Sequence, residues 1–255
     1  MITLQQSKKP NIGKRLETVA ETAAVRLSCE DEKTPLYAID VGTDHAKLPM
    51  YLVAECGFCG VVATDINEGP CETARKNIAA NGAFFADKIK VVKTNGMEGL
   101  QETPVNRVTI AGMGGELISD ILSRAKFTRE EKEKILFVLQ PQSKEHILRK
   151  FLCENGYRIL CEKWVEDAGK CYCVISAVFD GVKREASAFG FYFGFSEIKK
   201  GQDVFEKVLV KKTKVLERNI IERKKHSCEE STHFAEEEKL LCEIKVFAEK
   251  RGILL

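Results

Sequence analysis

Between Leu36 and Phe179, short β-branched runs alternate with amphipathic stretches of helical period. The runs cover 36–41 (LYAIDV), 60–66 (GVVATDI), 88–94 (KIKVVKT), 107–111 (RVTIA), 135–140 (ILFVLQ), 157–165 (YRILCEKWV) and 171–179 (CYCVISAVF). Helical patterns fill the gaps at 70–82, 115–125 and 143–156, with Pro70 suited to a first turn and Gly82 and Gly156 to helix ends. An earlier stripe of Leu16, Val19, Ala20, Ala23 and Leu27 predicts a helix before the first strand. Strands alternating with helices imply βαβ units and a mostly parallel sheet. Only a short polar segment, 166–170 (EDAGK), separates the last two runs, so they should pair antiparallel. The expectation is an α/β fold: a Rossmann-like, doubly wound, seven-stranded sheet over about 1–182.

The pattern changes after a junction at 181–201 that carries AFGFYFGF (188–195). Two long helical stripes follow, without strand signal. One holds Phe205, Val208, Leu209, Val215, Leu216, Ile220 and Ile221, and the other Phe234, Leu240, Leu241, Ile244, Phe247 and Ala248. The polar stretch HSCEEST (226–232) between them predicts an antiparallel, coiled-coil-like helical domain over about 183–255. Its first helix, 205–225, carries eight Lys or Arg against three Glu, a local excess hidden by the net charge of +2 for the whole chain. A basic helix face is either a grip for phosphates or a solvated surface paired with the glutamates that follow.

No run approaches the 18 apolar residues of a membrane span. The opening MITLQQSKKP lacks a signal-peptide core, and ten cysteines then read as reduced thiols of a cytoplasmic protein. The single C-x-x-C, Cys56 to Cys59, has no second pair to complete a zinc site, so no metal is expected.

Candidate chemistry gathers where strands end. Gly42 follows the first strand and Asp40 closes it, the place where open α/β sheets bind ligands. Asp65 ends the second strand, suited to a ribose diol. The dinucleotide pattern G-x-G-x-x-G is absent, because Asp44 stands where its second glycine would be. A carboxylate there repels a pyrophosphate but suits a cation, so the sulfonium of S-adenosyl-L-methionine fits better than a nicotinamide dinucleotide. The fourth strand leads into AGMGGE (111–116), whose three glycines in four residues exceed what one tight turn requires. The fifth ends in LQPQ (139–142), two amides at the same sheet edge.

Together, KRLETVA, DVGTDHAKLP, ATDINEGPCETARKNI, IAGMGGELI, LQPQ and the GKCYCVI hairpin resemble the TrmK-type tRNA (adenine-22-N1)-methyltransferases, in order from about Lys14 to Phe179. The resemblance implies a methyl transfer from S-adenosyl-L-methionine to adenine N1 of tRNA. It implies cofactor contacts from Asp40, Gly42, Thr43, Asp65, Ile66, Asn95, Gly96, Ala111, Gly112 and Met113. Asp44 becomes the candidate for stabilising the cationic product, with His45 as its orienting neighbour. A carboxylate about 4 Å from a cation contributes up to about 4 kcal/mol at an effective dielectric near 20. Gly114, Gly115, Gln140 and Pro141 are expected to meet the substrate base, and Lys211, Lys212, Lys214 and Arg218 its phosphates. The sequence departs from the family pattern at Lys47, Asn95, Gln142 and Cys173. The alternatives are a methyltransferase for another RNA, a protein or a small molecule, and a non-catalytic RNA-binding protein.

Overall fold

The computed structural model describes residues 10–101, 103–195, 202–226 and 232–255. It divides into two compact units, 1–184 and 185–255.

In chain order, the first unit comprises α1 (Gly13–Ala23), β1 (Tyr37–Val41), α2 (Lys47–Glu55), β2 (Gly60–Asp65), α3 (Glu68–Ala80), α4 (Ala83–Ala86), β3 (Ile89–Lys93), β4 (Arg107–Gly114), α5 (Gly115–Arg124), α6 (Arg129–Glu133), β5 (Leu136–Ser143), α7 (Glu145–Glu154), β6 (Tyr157–Asp167) and β7 (Lys170–Phe179). The strand order is β3-β2-β1-β4-β5-β7-β6, with β7 antiparallel to both its neighbours and the first five strands parallel. This is the expected doubly wound sheet with its terminal hairpin. The hairpin turn is tighter than the polar segment suggested. Only Ala168 (φ 48°) and Gly169 (φ 73°) lie between the strands, both left-handed, as a two-residue turn of right-twisted strands requires.

Side-chain alternation buries both sheet faces. Along β1 and β5, Ala38, Leu136 and Val138 enter a core closed by α1, α2 and α3, while Ile39, Val41, Phe137 and Leu139 enter one closed by α5 and α7. Chain reversal occurs between β1 and β4, which makes their carboxyl ends the crevice of the sheet.

Two strands run further than the sequence indicated. β4 continues through the glycine-rich segment to Gly114 and pairs with β5 as far as Ser143, through register shifts flanking Met113. The extra residue of this bulge is Gly112, at φ 83°. Pro141 has no N–H for the ladder, but it sits at the bulge, beyond the last β7 pair at Leu139.

The second unit holds α8 (Ala188–Phe193), α9 (Gln202–His226) and α10 (Thr232–Arg251). Glu217 pairs with Lys245, Arg223 with Glu237 and Lys224 with Glu238, so the helices run antiparallel. Phe189, Phe193, Phe205 and Phe247 form its aromatic centre. The segment expected to turn lies mainly at 227–231, outside the described residues, as do the side chains of Lys225 and Phe234.

Candidate active site

The carboxyl ends of β1, β2 and β3 are knitted by hydrogen bonds. The amides of Gly42 and Thr43 both donate to the Thr64 carbonyl (2.8 and 2.9 Å), and the Thr64 hydroxyl donates to the Gly96 carbonyl (3.0 Å). Gly42 adopts φ 82°, and the space of a Cβ there is already taken by the Met113 methyl. Gly96, at φ 66°, meets Ile121 in the same way. Their left-handed backbone is what demands glycine, and the Met113 methyl or Ile121 would have to give way to any side chain placed there.

Beside Gly42 opens a cleft of about 620 Å³, within the range of small-molecule sites. Asp40, Thr43, Asp44, His45, Ala111 and Gly112 line it with Gly42, and α1 contributes Arg15. The other expected cofactor residues do not line this cleft. Asp65, Ile66, Asn95 and Gly96 occupy the adjacent strand ends, where one Asp65 oxygen accepts the Asn67 amide (2.8 Å) and Ile66 is 57% exposed.

Asp40 is buried, and its carboxylate accepts hydrogen bonds from Thr109 Oγ1 (2.7 Å) and the Thr43 hydroxyl. Burial still pushes its carboxyl up to about 6, with a small upward contribution from Asp44 and no Lys or Arg among the described residues to offset it. Such a group favours a cation brought by a ligand. Cleft volume, the bare Gly42 and Gly112, and an uncompensated buried acid together fit S-adenosyl-L-methionine.

Asp44, the candidate stabiliser of the cationic product, stands at the open side of the cleft. Its side chain is 80% exposed and 3.9 Å from His45 Nε2. Water screens such a charge, so its worth falls toward the aqueous limit. Asp44→Asn should slow single-turnover methylation about fivefold or less. A loss of a hundredfold in rapid-quench experiments would show that the loop closes over this carboxylate.

The expected base-facing residues also divide. Gln140 and Pro141 are buried. Gln140 Oε1 accepts from Arg15 Nη1 (2.5 Å) and the Gly112 amide (3.2 Å), and its Nε2 donates to the Pro141 carbonyl (2.7 Å). Its amide braces the bulge and presents nothing to a substrate. Gln142, two residues on, lines the cleft in its stead. Gly115 is buried as well, because a Cβ there would stand 2.3 Å from the Lys144 carbonyl. It serves the close approach of two loops, which the Lys144–Glu116 ion pair (2.5 Å) also ties. Gly114 alone of these four keeps partial exposure. Arg15 was missed by the strand-end reasoning because it comes from α1; its only signal was the KRLETVA segment.

A family model described as a methyltransferase domain matches residues 12–175. The tRNA (adenine(22)-N(1))-methyltransferase of Bacillus subtilis is 33% identical over 184 residues, covering 69% of this chain and 71% of that protein. This chain belongs to the TrmK-type tRNA (adenine-22-N1)-methyltransferase family. Solved structures match more than nine-tenths of the chain. A Streptococcus pneumoniae protein assigned as a tRNA (m1A22) methyltransferase, in complex with S-adenosyl-L-methionine, is 31% identical with a TM-score of 0.74, over 91% of this chain and 99% of that one. The B. subtilis m1A22 tRNA methyltransferase TrmK is 26% identical with a TM-score of 0.73, over 94% and 97%.

Among the described residues of this TrmK-type chain, no three His, Cys, Asp or Glu side chains gather as a metal site needs. No described helix is long and apolar enough to cross a membrane.

Proposed function

We propose that the chain transfers a methyl group from S-adenosyl-L-methionine to N1 of an adenine in tRNA, adenine 22 as in its named relatives. The observation that carries this reading is the cleft at the sheet's switch point, with a buried, uncompensated Asp40 between bare glycines. When bound, the cofactor supplies a methyl group already activated on a sulfonium. Asp40, Gly42, Thr43, Ala111 and Gly112 would hold it from one side, and Asp65, Ile66, Asn95, Gly96 and Met113 from the other. Adenine N1 carries a lone pair at neutral pH, so no strong base is required. The task of the chain is to orient that nitrogen and exclude competing geometries. Asp44 and His45 stand at the rim, where a carboxylate favours the cationic methylated base. The target base has to leave its stack, and Gly114 beside Met113 offers an edge free of bulky side chains.

Phosphate contacts are assigned to the helical unit, 185–255 in extent, and the charges of α9 refine which residues make them. Arg223 and Lys224 are neutralised by Glu237 and Glu238. Lys212 folds back on the Tyr192 carbonyl (3.5 Å) and the Phe193 ring. Lys211, Lys214 and Arg218 stay exposed at helical spacing, with no carboxylate partner among the described residues. Reversing these three to Glu should weaken tRNA binding and flatten its log–log salt dependence by about 0.7–0.9 per lost phosphate contact. Cofactor affinity should hardly move. Wild-type tRNA affinity and slope in filter binding would remove this face from the interface. An enzyme acting on tRNA works in the cytoplasm, where its substrate is.

The direct test is incubation with tritiated cofactor and unmodified tRNA, followed by nucleoside analysis. Label in 1-methyladenosine is the expected result. Label in protein, in another nucleoside or nowhere overturns the reading.

A further inference from the structure

Asp44 and His45 are carried by a segment that does not hold its own shape. Ala46, which caps α2 behind them, takes the left-handed φ 53°. That region is unfavourable for a residue with a side chain and persists only where neighbours impose it. Two anchors are already described or visible in the core: the amides of Gly42 and Thr43 bind the Thr64 carbonyl, and the methyl of Ala46 is fully buried. Between them the His45 carbonyl is left over. It lies outside α2, and the residue four positions on, whose amide would reach back to it, is Pro49, which has no N–H. The donor comes from α3 instead: Asn77 Nδ2 donates to the His45 carbonyl at 3.1 Å. Among the described residues, no other hydrogen bond ties 44–46 to an element beyond α2. Asn77 sits in the body of α3, beside the buried Ile78, although Asn is a poor helix former. Its side chain serves a neighbouring segment at the expense of its own helix.

We infer that Asn77 is a positioning residue for methyl transfer: by holding the His45 carbonyl it fixes the path of 44–46, and with it the place where Asp44 and His45 stand when the target base enters. This rests on the methyltransferase reading and adds to it a residue that touches neither cofactor nor base. Asn77 does not line the cleft, so its effect on the reaction is separable from cofactor affinity. One amide suffices because the segment is short. With Gly42, Thr43 and Ala46 anchored, a single further bond sets the backbone between them, and a displacement of about 1 Å near a reacting centre can cost about a hundredfold in rate. Asp44 and His45 are 80% and 50% exposed, so their own side chains contribute little to holding the segment in place.

The test uses the full chain with Asn77→Ala and Asn77→Asp, assayed well below their melting midpoints. Asp keeps the shape of Asn, but its carboxylate only accepts, so it fills the same space without the bond. Both variants should methylate unmodified tRNA about tenfold more slowly in single turnovers at saturating tRNA, while calorimetry finds their cofactor affinity within about twofold of wild type. Removing the rim pair, Asp44→Asn with His45→Ala, should slow the wild-type chain to a similar extent and add nothing in the Asn77→Ala background, as groups acting in series require. The amides of 44–47 should exchange with solvent faster in both Asn77 variants. A wild-type rate in Asn77→Asp overturns the proposal, since Asn77 then only fills space. Additive losses in the combined variant overturn it, as does a rate loss matched by an equal loss of cofactor affinity. Unchanged exchange at 44–47 overturns it whatever the reaction does. A wild-type chain that methylates no tRNA would instead be a failure of the functional reading, and the exchange measurement would still decide whether Asn77 holds the segment.

Discussion

Cofactor affinity should fall about tenfold for each pH unit below about 6, because the free protein must first lose the proton that burial keeps on Asp40. Above that pH the affinity should level off. Asp40→Asn should abolish the pH dependence and bind about ten- to hundredfold more weakly at pH 8, having lost a charge-assisted contact. The stability effect runs in the opposite direction. A carboxyl pushed up to about 6 when folded, from an ordinary 3.8, makes the native state hold its proton longer than the unfolded chain. Its contribution therefore falls as pH rises from 3.8 through 6 and is fully unfavourable above that window. Asp40→Asn should raise the stability of the ligand-free protein at pH 8, by about 3 kcal/mol at most, and by little below pH 4. Calorimetric titrations from pH 5 to 8, with melting curves over the same range, check both halves. An affinity that stays flat across the range would remove Asp40 as the ionised ligand contact.

The largest purely structural effect is expected behind the site. Arg149 of α7 and Glu162 of β6 form a fully buried pair at 2.6 Å, and Arg149 Nη2 also donates to Cys173 Sγ at 3.4 Å. Trp164, the one tryptophan of the chain, has its ring centre 5.8 Å from the same guanidinium. Arg149→Met removes the arginine partner of a carboxylate with 2% exposure, and should cost about 3–5 kcal/mol. The double variant with Glu162→Leu should regain most of that, since an apolar pair of similar volume needs no desolvation. Urea unfolding followed through Trp164 fluorescence measures both. A single variant within about 1 kcal/mol of wild type would mean that water or a rearranged carboxylate answers the charge.

The sequence by itself determined the parts that depend on local pattern. Period-2 and period-3.6 hydrophobicity sufficed for seven strands and the helices α1, α3, α5 and α7, because an element buried on one or both faces has to repeat its apolar residues at its own period; α2 and the short α4 and α6 were not read from it. Gly42 and Asp40 were legible for a related reason: a glycine right after a strand marks a left-handed turn at the sheet's carboxyl edge. Tertiary structure decided what neighbours impose. Glycines at 112–115 read as a strand's end, yet pairing with β5 carries β4 through them, and only the partner strand determines whether a ladder continues past a bulge. Gln140 and Gln142 are indistinguishable as amides in a loop, and two positions apart on a regular strand they would share a face; the register shifts beside Met113 break that alternation, leaving Gln140 buried and Gln142 in the cleft. The exposure of Asp44 was not legible either, since it depends on what other segments cover, and its side chain is 80% exposed. Arg15 lies 125 positions from the glutamine it bonds, a contact made only when α1 folds onto the sheet. Hydrophobic period is a property of one segment; burial, charge pairing and the shape of a cleft belong to several segments at once.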